Sequence, residues 1–267
     1  MRILSLNAWG GTFHHEMVAY LKDVDPDVIC LQEVIRSEKR LSDWLVYRDH
    51  GVELQQRGNM FEELRAAFPQ HDIHFCQSMR GELYDGDAPV WTGFGLATLV
   101  RRSYAVIGQA MDFVHGDFSA HGWGDHPRSR HAHVLRLFGI EDSRTIVVAH
   151  MHGLRIPSGK QDNPERLAQA QALRGLIEGV RRPNERIVAC GDFNVLPFSA
   201  TFEILGTLGL TDLVTTRGFT DTRTSHYSKP ERYADYMLVT PNVDVAHFDV
   251  VKEPEVSDHR ALLLDIR

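Results

Sequence analysis

The feature that most constrains this 267-residue chain is a succession of short apolar runs of strand length, each bounded by polar or turn-forming residues. Helical periodicity is confined to fewer segments, at about 14–23, about 60–68, a stretch after Phe198, and 164–180, where Asn163 is a suitable N-cap. Strands joined by helices in some places and by short turns in others predict two mixed sheets packed face to face, with helices outside. The predicted strands cover residues 3–6, 28–31, 95–100, 133–138, 145–149, 186–190, 236–239, 243–251 and 261–266.

Composition supports one globular unit. Apolar residues make up 43% of the chain, and no repeat or linker-like stretch divides it, so we expect a single domain over 1–267. The longest apolar run, residues 17–21, is far shorter than the roughly 20 residues of a membrane span. Cys30, Cys76 and Cys190 are odd in number and far apart, which predicts reduced core thiols and, with no secretory signal in view, a cytoplasmic protein.

One segment lacks strand or helix periodicity. Residues 108–130 are rich in Gly, His, Asp and Ser, and we expect a long loop there. Its histidines match no zinc-binding spacing. The net charge of −7 means that the chain as a whole is not basic, as many nucleic-acid-binding proteins are. A locally positive groove could still bind nucleic acid.

Polar residues recur where the apolar runs end, which is where a strand can present side chains to a cleft. Taken singly, each has an ordinary structural explanation, such as a turn or a solvated face. As an ordered set they predict a site. Its members are Asn7, Glu33, His150, His152, Asp192, Asn194, Asp235, Asp258 and His259.

The motifs around these residues resemble those of the endonuclease/exonuclease/phosphatase superfamily. They are Leu-Asn-Ala-Trp, Leu-Gln-Glu-Val, a strand ending in His-Gly, Gly-Asp-Phe-Asn, Asp-Tyr and Ser-Asp-His, in this order between Asn7 and His259. The resemblance implies a four-layered α/β sandwich and phosphoester hydrolysis that depends on Mg²⁺ or Mn²⁺. Because superfamily members act on many phosphoesters, it indicates the chemistry better than the substrate.

Hydrolysis of a phosphate ester needs charge neutralisation and an activated water, and a hard cation held by oxygen ligands supplies both. Glu33 fits as the principal metal ligand, with Asn7 and Asp258 completing or supporting the site. By resemblance, Asp192 orients or deprotonates the water and Asn194 donates to the developing charge.

His259 is expected to place a cationic donor on the phosphate, and Asp235 resembles the family's aspartate that holds that histidine. For the histidine motif we favour His152 as the catalytic residue, and His150, two residues earlier on the same face, as a contact to substrate.

Segments outside these motifs bear on the substrate. Lys160, Asp162 and Arg166 resemble a strand-to-helix segment of the family, although Arg166 has an equally good structural role. Trp91 and Arg130 are candidate substrate contacts, since an aromatic ring can stack a base and a guanidinium can pair with phosphate. An ordinary surface loop would explain these segments too.

Three functional hypotheses remain. The first is a phosphodiesterase or nuclease acting on DNA or RNA by direct water attack, since no serine or cysteine nucleophile motif is present. The second is a phosphatase or phosphodiesterase for small molecules or phospholipid headgroups. The third, an inactive binding module, is disfavoured because clustered carboxylates are costly to keep without chemistry. No obligate protein partner is inferred.

Overall fold

The computed structural model describes residues 1–39 and 41–267, and these form two β-sheets and five α-helices. The strands are β1 (Arg2–Asn7), β2 (Val28–Ser37), β3 (Trp44–Asp49), β4 (Val52–Arg57), β5 (His71–Asp85), β6 (Ala88–Arg101), β7 (Tyr104–His115), β8 (Arg130–Gly139), β9 (Thr145–His152), β10 (Arg186–Asp192), β11 (Thr211–Asp212), β12 (Asp235–Val239), β13 (Val245–Val250) and β14 (Leu262–Ile266). The helices are α1 (His14–Val24), α2 (Met60–Ala67), α3 (Pro164–Val180), α4 (Ala200–Gly206) and α5 (Leu213–Thr216).

The two sheets pack face to face, and helices cover their outer faces. The larger sheet has the order β13-β14-β1-β2-β6-β5-β3-β4, and the smaller has the order β11-β12-β10-β9-β8-β7. Each is mixed, because β1 and β2 run parallel, as do β9 and β10, whereas their other pairings are antiparallel. Helix α2 packs on β2 and β5, and α3 packs on β7, β8 and β9. The predicted four-layered α/β sandwich is confirmed.

Side-chain alternation along the central strands explains how two apolar layers form. On β1 and β2, Ile3, Val28 and Cys30 face the smaller sheet, while Leu4 and Ile29 face α1 and α2. All five are completely buried, and each large apolar side chain contributes roughly 1.5–3 kcal/mol on burial. By the same alternation, the side chain of Asn7 lies on the inner face of β1, at the edge of the layer between the two sheets.

The strands that pack against each other across the sandwich determine what borders the edge of the inter-sheet layer. Strand β12 packs against β14, β10 against β1 and β2, and β8 against β5 and β6. The carboxyl ends of β1, β2, β9 and β10 therefore meet along one edge of the sandwich, which we call the cleft, with β12 and β14 on one side and β6 and β8 on the other.

The prediction of a loop over 108–130 is wrong for its first part, because β7 continues to His115. Strand β7 lies at the edge of the smaller sheet and leaves Ile107 and Met111 exposed, so it has no continuous apolar run to find. Residues 116–129 do form a loop, which docks on β5 through the Arg80 N–H donating to the Ser119 carbonyl at 2.7 Å.

Two further sequence expectations bear on the interior. Cys30, Cys76 and Cys190 are all buried and unpaired with one another by disulfides, as predicted. Within the described ranges, no helix combines the length and the apolarity that a membrane crossing needs.

Candidate active site

The strand ends bring the predicted polar residues together at the cleft. On the smaller sheet, Asp192 at the end of β10 pairs in register with His152 of parallel β9 and with Asp235 of antiparallel β12. On the larger sheet, Asn7 ends β1, and the next strand supplies Glu33. Residues far apart in sequence thus meet because each lies where its strand leaves the core.

Asn7 joins the two sheets. Its Nδ2 donates to Glu33 Oε1 at 3.2 Å and to Asp192 Oδ2 at 3.1 Å, while its Oδ1 accepts from the Trp9 backbone N–H at 3.0 Å. Asn7 is completely buried, so these bonds fix the amide between two carboxylates. The hydrogen bonds place the predicted metal ligands Asn7 and Glu33 side by side.

Glu33 reaches the cleft through an irregularity in β2. Strict alternation after Ile29 and Leu31 would turn residue 33 toward the helices, but the pairing of β2 with β6 shifts register between Leu31 and Val34, and Glu33 has a positive φ of 59°. Such a φ is uncommon for a residue with a side chain and is found where surrounding structure enforces it. The bulge therefore re-aims this carboxylate toward Asn7.

Burial sets the electrostatics of that carboxylate. Desolvation raises the pKa of Glu33, the hydrogen bond from Asn7 lowers it, and the charge of Asp192 raises it further. Because burial destabilises the Glu33 carboxylate as a free anion, a cation bound nearby would stabilise it.

Asp192 is oriented from both sides. Its Oδ1 accepts from the Asn194 backbone N–H at 3.0 Å, and its Oδ2 faces Asn7. Asn194 itself has φ 52°, a conformation that Asn tolerates better than most residues, and its Nδ2 lies 3.4 Å from the Gly153 carbonyl oxygen. The Gly-Asp-Phe-Asn turn thus presents one carboxylate and one amide to the cleft.

Asp235 and His259 form a buried pair. Both oxygens of Asp235 lie 2.8–2.9 Å from His259 Nδ1, as expected for an aspartate that holds the ring. Burial raises the pKa of Asp235 to about 7, and burial together with the charge of Arg223 lowers the pKa of His259 to about 4. Each of these shifts favours the uncharged form of its group.

A positive charge beside His259 comes from Arg223, which the sequence analysis missed. Its Nη1 lies 3.0 Å from Asp258 Oδ2 and contacts His259 Nε2. The side chain is 6% exposed. Arg223 lies in an irregular segment and reaches the site through a single bridge with His259, so no strand pattern or motif indicates it.

His152 lies inside the cluster. Its Nε2 is 3.8 Å from Glu33 Oε1 and 3.7 Å from Asp192 Oδ2, too far for hydrogen bonds and close enough to act on the same small ligand. Burial, and then the charge of Arg130, lower the pKa of His152. Arg130 is itself buried, donates to the Gly153 carbonyl at 2.9 Å, and has its pKa lowered to about 10 by burial.

Two candidate substrate contacts do not reach the cluster. His150 is completely buried between the sheets, with Nε2 2.6 Å from Gln32 Nε2 and Nδ1 3.2 Å from Thr98 Oγ1. The shared face with His152 was correct, but one step of alternation places His150 deeper, so it cannot touch substrate there.

Trp91 lies on the outer face of β6, where it packs under Arg80 at 4.9 Å and lines a recess of about 190 Å³ with Arg36 and Gln77. That recess contains none of the cluster residues, so the expectation for Trp91 does not hold. The ring centroid of Phe94, three residues further on, is 6.4 Å from that of His152.

The 160–166 segment divides by role. Arg166 is 2% exposed and donates to the carbonyls of Gln161, Gly159 and Leu154, which is a structural role. Lys160 donates to the Tyr233 carbonyl, and burial lowers its pKa while the charges of Asp192 and Asp235 raise it. Lys160 therefore lies close to the cluster.

Asp162 acts elsewhere, at the start of α4, where it accepts from the Ser199 hydroxyl and, at 2.8 Å, from the Ala200 N–H. It is not part of the cluster of carboxylates and histidines.

The oxygen donors fit a divalent cation. Asp258 gives one oxygen to Arg223, and its other oxygen, Oδ1, is buried without a hydrogen-bond partner. Burial raises the pKa of Asp258, and the charge of Glu33 contributes to that rise, so the two carboxylates share one neighbourhood. An orphaned buried carboxylate oxygen near Glu33 suits a hard cation that prefers oxygen ligands. Separately, Asp192, Asp235 and His259 place potential ligand atoms within 4.8 Å of one another, but the last two already bond each other.

Aromatic side chains flank the cluster at both ends of the cleft. On the β6 and β8 side, Phe94 packs edge-to-face with Trp123 at 6.2 Å. On the β12 and β14 side, His226 from the segment that carries Arg223 lies 4.7 Å from Phe13 and 6.4 Å from Trp9. Aromatic rings therefore lie on both sides of the cluster of carboxylates and histidines.

A family model described as the Endonuclease/Exonuclease/phosphatase family matches residues 4–259, nearly the whole chain. The chain belongs to this family. The family has a phosphoesterase fold, and membership supports phosphoester hydrolysis that depends on a divalent metal. No curated protein sequence matches the chain.

Solved structures share the fold at low identity. An endonuclease/exonuclease/phosphatase from Bacteroides vulgatus superposes with a TM-score of 0.70 at 18% identity, covering 100% of this chain and 98% of that one. A mannosyl-6-phosphatase from Bacteroides thetaiotaomicron gives 0.69 at 15% identity, covering 100% and 99%. TDP2 of D. rerio, in complex with a single-stranded DNA product, gives 0.67 at 14%, covering 100% and 98%. The relatives differ in substrate, and at these identities the likeness concerns the fold.

Proposed function

We propose that this chain, acting as a single domain, is a metal-dependent phosphoester hydrolase that uses direct attack by water, with phosphodiesters of nucleic acid as its substrates. The observation that carries the proposal is the bonded chain from Glu33 through Asn7 to Asp192, which links the oxygen ligands of one sheet to the catalytic carboxylate of the other. Such a link suits a reaction that needs a cation and a base on one phosphate.

Glu33, Asn7 and the free Oδ1 of Asp258 are the residues that would hold Mg²⁺ or Mn²⁺. When bound, the ion would supply neutralisation of the phosphate's negative charge. Asn7 would contribute its amide oxygen, Oδ1, which in this structure accepts from the Trp9 N–H.

Asp192 is the proposed general base. Its Oδ1 accepts from the Asn194 N–H and its Oδ2 accepts from Asn7 Nδ2, and a further lone pair of Oδ2 would orient a water and accept its proton. As the water oxygen bonds to phosphorus, the bond from phosphorus to the leaving oxygen breaks, and that oxygen takes a proton from solvent. His152 and Asn194 would donate to the phosphoryl oxygens on which charge accumulates.

His259 contributes by orientation. The bond from its Nδ1 to Asp235 fixes the ring so that Nε2 faces Asp192 Oδ2 at 3.7 Å. Its Nε2 is thereby kept on the side of the cleft where the phosphate would lie.

The aromatic side chains around the cluster support an extended substrate. A phosphodiester carries an organic group on each side of phosphorus, and aromatic side chains stand at both ends of this cleft, Phe94 and Trp123 at one and Trp9 and His226 at the other. Stacking of bases on such rings contributes roughly 1–3 kcal/mol each. Arg130 and Lys160 supply cations near the centre.

The alternative is a hydrolase of small phosphomonoesters or phospholipid headgroups. It draws support from the concentration of charge, since Arg130 and Arg223 are buried beside the cluster while the chain as a whole carries −7. Two buried guanidinium groups suit a dianionic phosphate.

The deciding experiment compares hydrolysis of bis(4-nitrophenyl) phosphate and 4-nitrophenyl phosphate with Mg²⁺, with Mn²⁺ and with chelator, followed by a panel of single- and double-stranded DNA and RNA. We expect metal-dependent preference for the diester and cleavage of at least one nucleic acid. An Asp192→Asn variant controls for contaminating hydrolases. Preference for the monoester would favour the alternative, and no hydrolysis of any substrate with either metal would contradict both.

A further inference from the structure

Arg223 occupies a place in the cluster that none of the predicted residues fills. Its Nη1 lies between Asp258 Oδ2, at 3.0 Å, and His259 Nε2, the ring nitrogen that faces Asp192. A guanidinium is positively charged at every physiological pH. The residue therefore brings a permanent cation to the side of the cleft where the phosphate is expected.

The donors of Arg223 are not used up by the protein. Its Nε is buried without a hydrogen-bond partner, and among the described residues only Nη1 makes side-chain hydrogen bonds. A buried donor without a partner costs roughly 1–3 kcal/mol, so a structural counter-ion for Asp258 would be expected to satisfy it. Unused donors on a buried guanidinium indicate a partner that arrives from outside.

The surroundings also hold the side chain in position. The ring of Tyr227 lies 4.1 Å from the Arg223 guanidinium carbon, and the main chain of Arg223 bridges to that of His259. Arg232 secures the segment by donating to the carbonyls of Arg223 and Thr224 at 2.8 and 3.1 Å. A preorganised donor stabilises developing charge more than a mobile one, because it needs no reorganisation during the reaction.

We propose that Arg223 is a catalytic residue that binds the phosphoryl oxygens of the substrate through its guanidinium group. This assignment rests on the proposed hydrolase function and adds to it the fixed cation of the site. In the reaction it forms and breaks no covalent bond, and it donates hydrogen bonds to oxygens whose charge grows as water attacks.

The test uses Arg223→Gln, Arg223→Lys and Arg223→Ala in the full chain, with Arg136→Gln as the matched control. Arg136 is paired with Glu185 away from the cluster, so its loss removes an ion-paired arginine without touching the site. Two quantities are measured for each protein, the affinity for inorganic phosphate by calorimetry and kcat on the aryl phosphodiester.

We expect Arg223→Gln to lower kcat about 100-fold and to weaken phosphate binding at least tenfold, in line with the loss of one preorganised donor, roughly 10²–10³-fold. Arg223→Lys should keep the fold, because it retains a charge for Asp258. It should nevertheless lose most of the phosphate affinity and of the kcat that Arg223 provides, since lysine cannot present a planar fork. Added methylguanidinium should partly restore kcat in Arg223→Ala. Arg136→Gln should match the wild type within about twofold.

The proposal is overturned if Arg223→Gln melts at a lower temperature yet keeps its phosphate affinity and kcat, the behaviour of a counter-ion alone. Unchanged phosphate affinity and kcat in Arg223→Lys would also overturn it. If the wild type hydrolyses none of the substrates, the proposed function fails, and the phosphate-binding measurements still decide whether Arg223 binds an oxyanion.

Discussion

Asn7 Nδ2 and Glu33 Oε1 lie 3.2 Å apart although regular alternation would place their side chains on opposite faces of the larger sheet. The bulge after Leu31 and the positive φ of Glu33 remove that separation. Backbone strain of this kind costs of order 1–3 kcal/mol and persists where the surrounding structure enforces it. The strained residue is also the proposed principal metal ligand.

The first prediction concerns that ligand. Glu33→Gln should weaken Mn²⁺ binding at least tenfold, because the amide lacks the charge that the cation neutralises. Calorimetric titration measures it, and Glu141→Gln, an exposed carboxylate in a turn, is the control. Because burial raises the pKa of Glu33, the metal-free variant should be as stable as the wild type or more so. Equal Mn²⁺ affinity in the variant and the wild type would remove Glu33 from the metal site.

The second prediction tests whether Asp192 and His259 act on one phosphate. Asp192→Asn and His259→Gln should each lower kcat about 10³-fold or more, and the double variant should be little slower than either, since residues that act as a unit give non-additive losses. Single-turnover rates on the aryl phosphodiester measure this. A double variant slowed by the full product of the two losses would mean that the residues act independently.

The strand-end rule accounts for what the sequence could predict of the site. Asn7, His152, Asp192 and Asp235 end or begin buried strands whose apolar runs are visible in the sequence, so their convergence follows from the fold. The same rule could not predict which side chains on one face lie deeper between the sheets. His150 and His152 share a face, but only the packing of β9 against the larger sheet shows that His150 meets Gln32 and Thr98 instead of the cleft.

Other features had no local signal. Strand β7 and much of β5 are half exposed, so their residues do not alternate cleanly, and neither strand is among those predicted from the sequence. Arg223 is brought to His259 by a single bridge in an irregular segment, which is a long-range contact that neither spacing nor composition encodes. Trp91 and Phe94 lie on one strand, and only the contacts of the folded chain show that Phe94 lies near His152 whereas Trp91 packs under Arg80.

The third prediction separates the two histidines of β9. His152→Asn should depress kcat on the minimal aryl phosphodiester at least 100-fold with little change in melting temperature. His150→Asn should instead lower the melting temperature, because it disturbs a buried contact with Gln32 and Thr98, and should change kcat less than tenfold. If His150→Asn were the slower enzyme at unchanged stability, His150 and not His152 would serve the phosphate.

The fourth prediction concerns stability against pH. Burial lowers the pKa of both His133 and His150 to about 3, whereas unfolded histidine titrates near 6.5. Between these values each of the two histidines binds more proton in the unfolded chain than in the folded one, so its contribution to the free energy of unfolding falls as the pH falls. From about pH 7.5 to about pH 5, each such histidine contributes a loss of roughly 2 kcal/mol.

Urea denaturation at the two pH values measures that loss. His133→Asn should reduce the difference between them by about the share of one histidine. His247→Asn, which removes an exposed histidine, should leave the difference unchanged. A difference between the two pH values in His133→Asn equal to that of the wild type would show that the His133 ring is not held neutral by the fold.

The last prediction concerns the turn that presents Asp192. Gly191 has φ 135°, and a Cβ there would lie 2.0 Å from the Met151 carbonyl oxygen on the neighbouring strand. Gly191→Ala must therefore push β10 away from β9, which would cost roughly 1–3 kcal/mol and displace the carboxylate of Asp192 from His152. In contrast, Gly175 lies within α3 with nothing within 4 Å of its Cβ position, so Gly175→Ala should stabilise the protein by roughly 0.5–1 kcal/mol and leave kcat unchanged. Melting temperature and kcat are measured for both variants. A Gly191→Ala protein as active and as stable as the wild type would mean that the close approach of β9 and β10 at this residue does not position the proposed base.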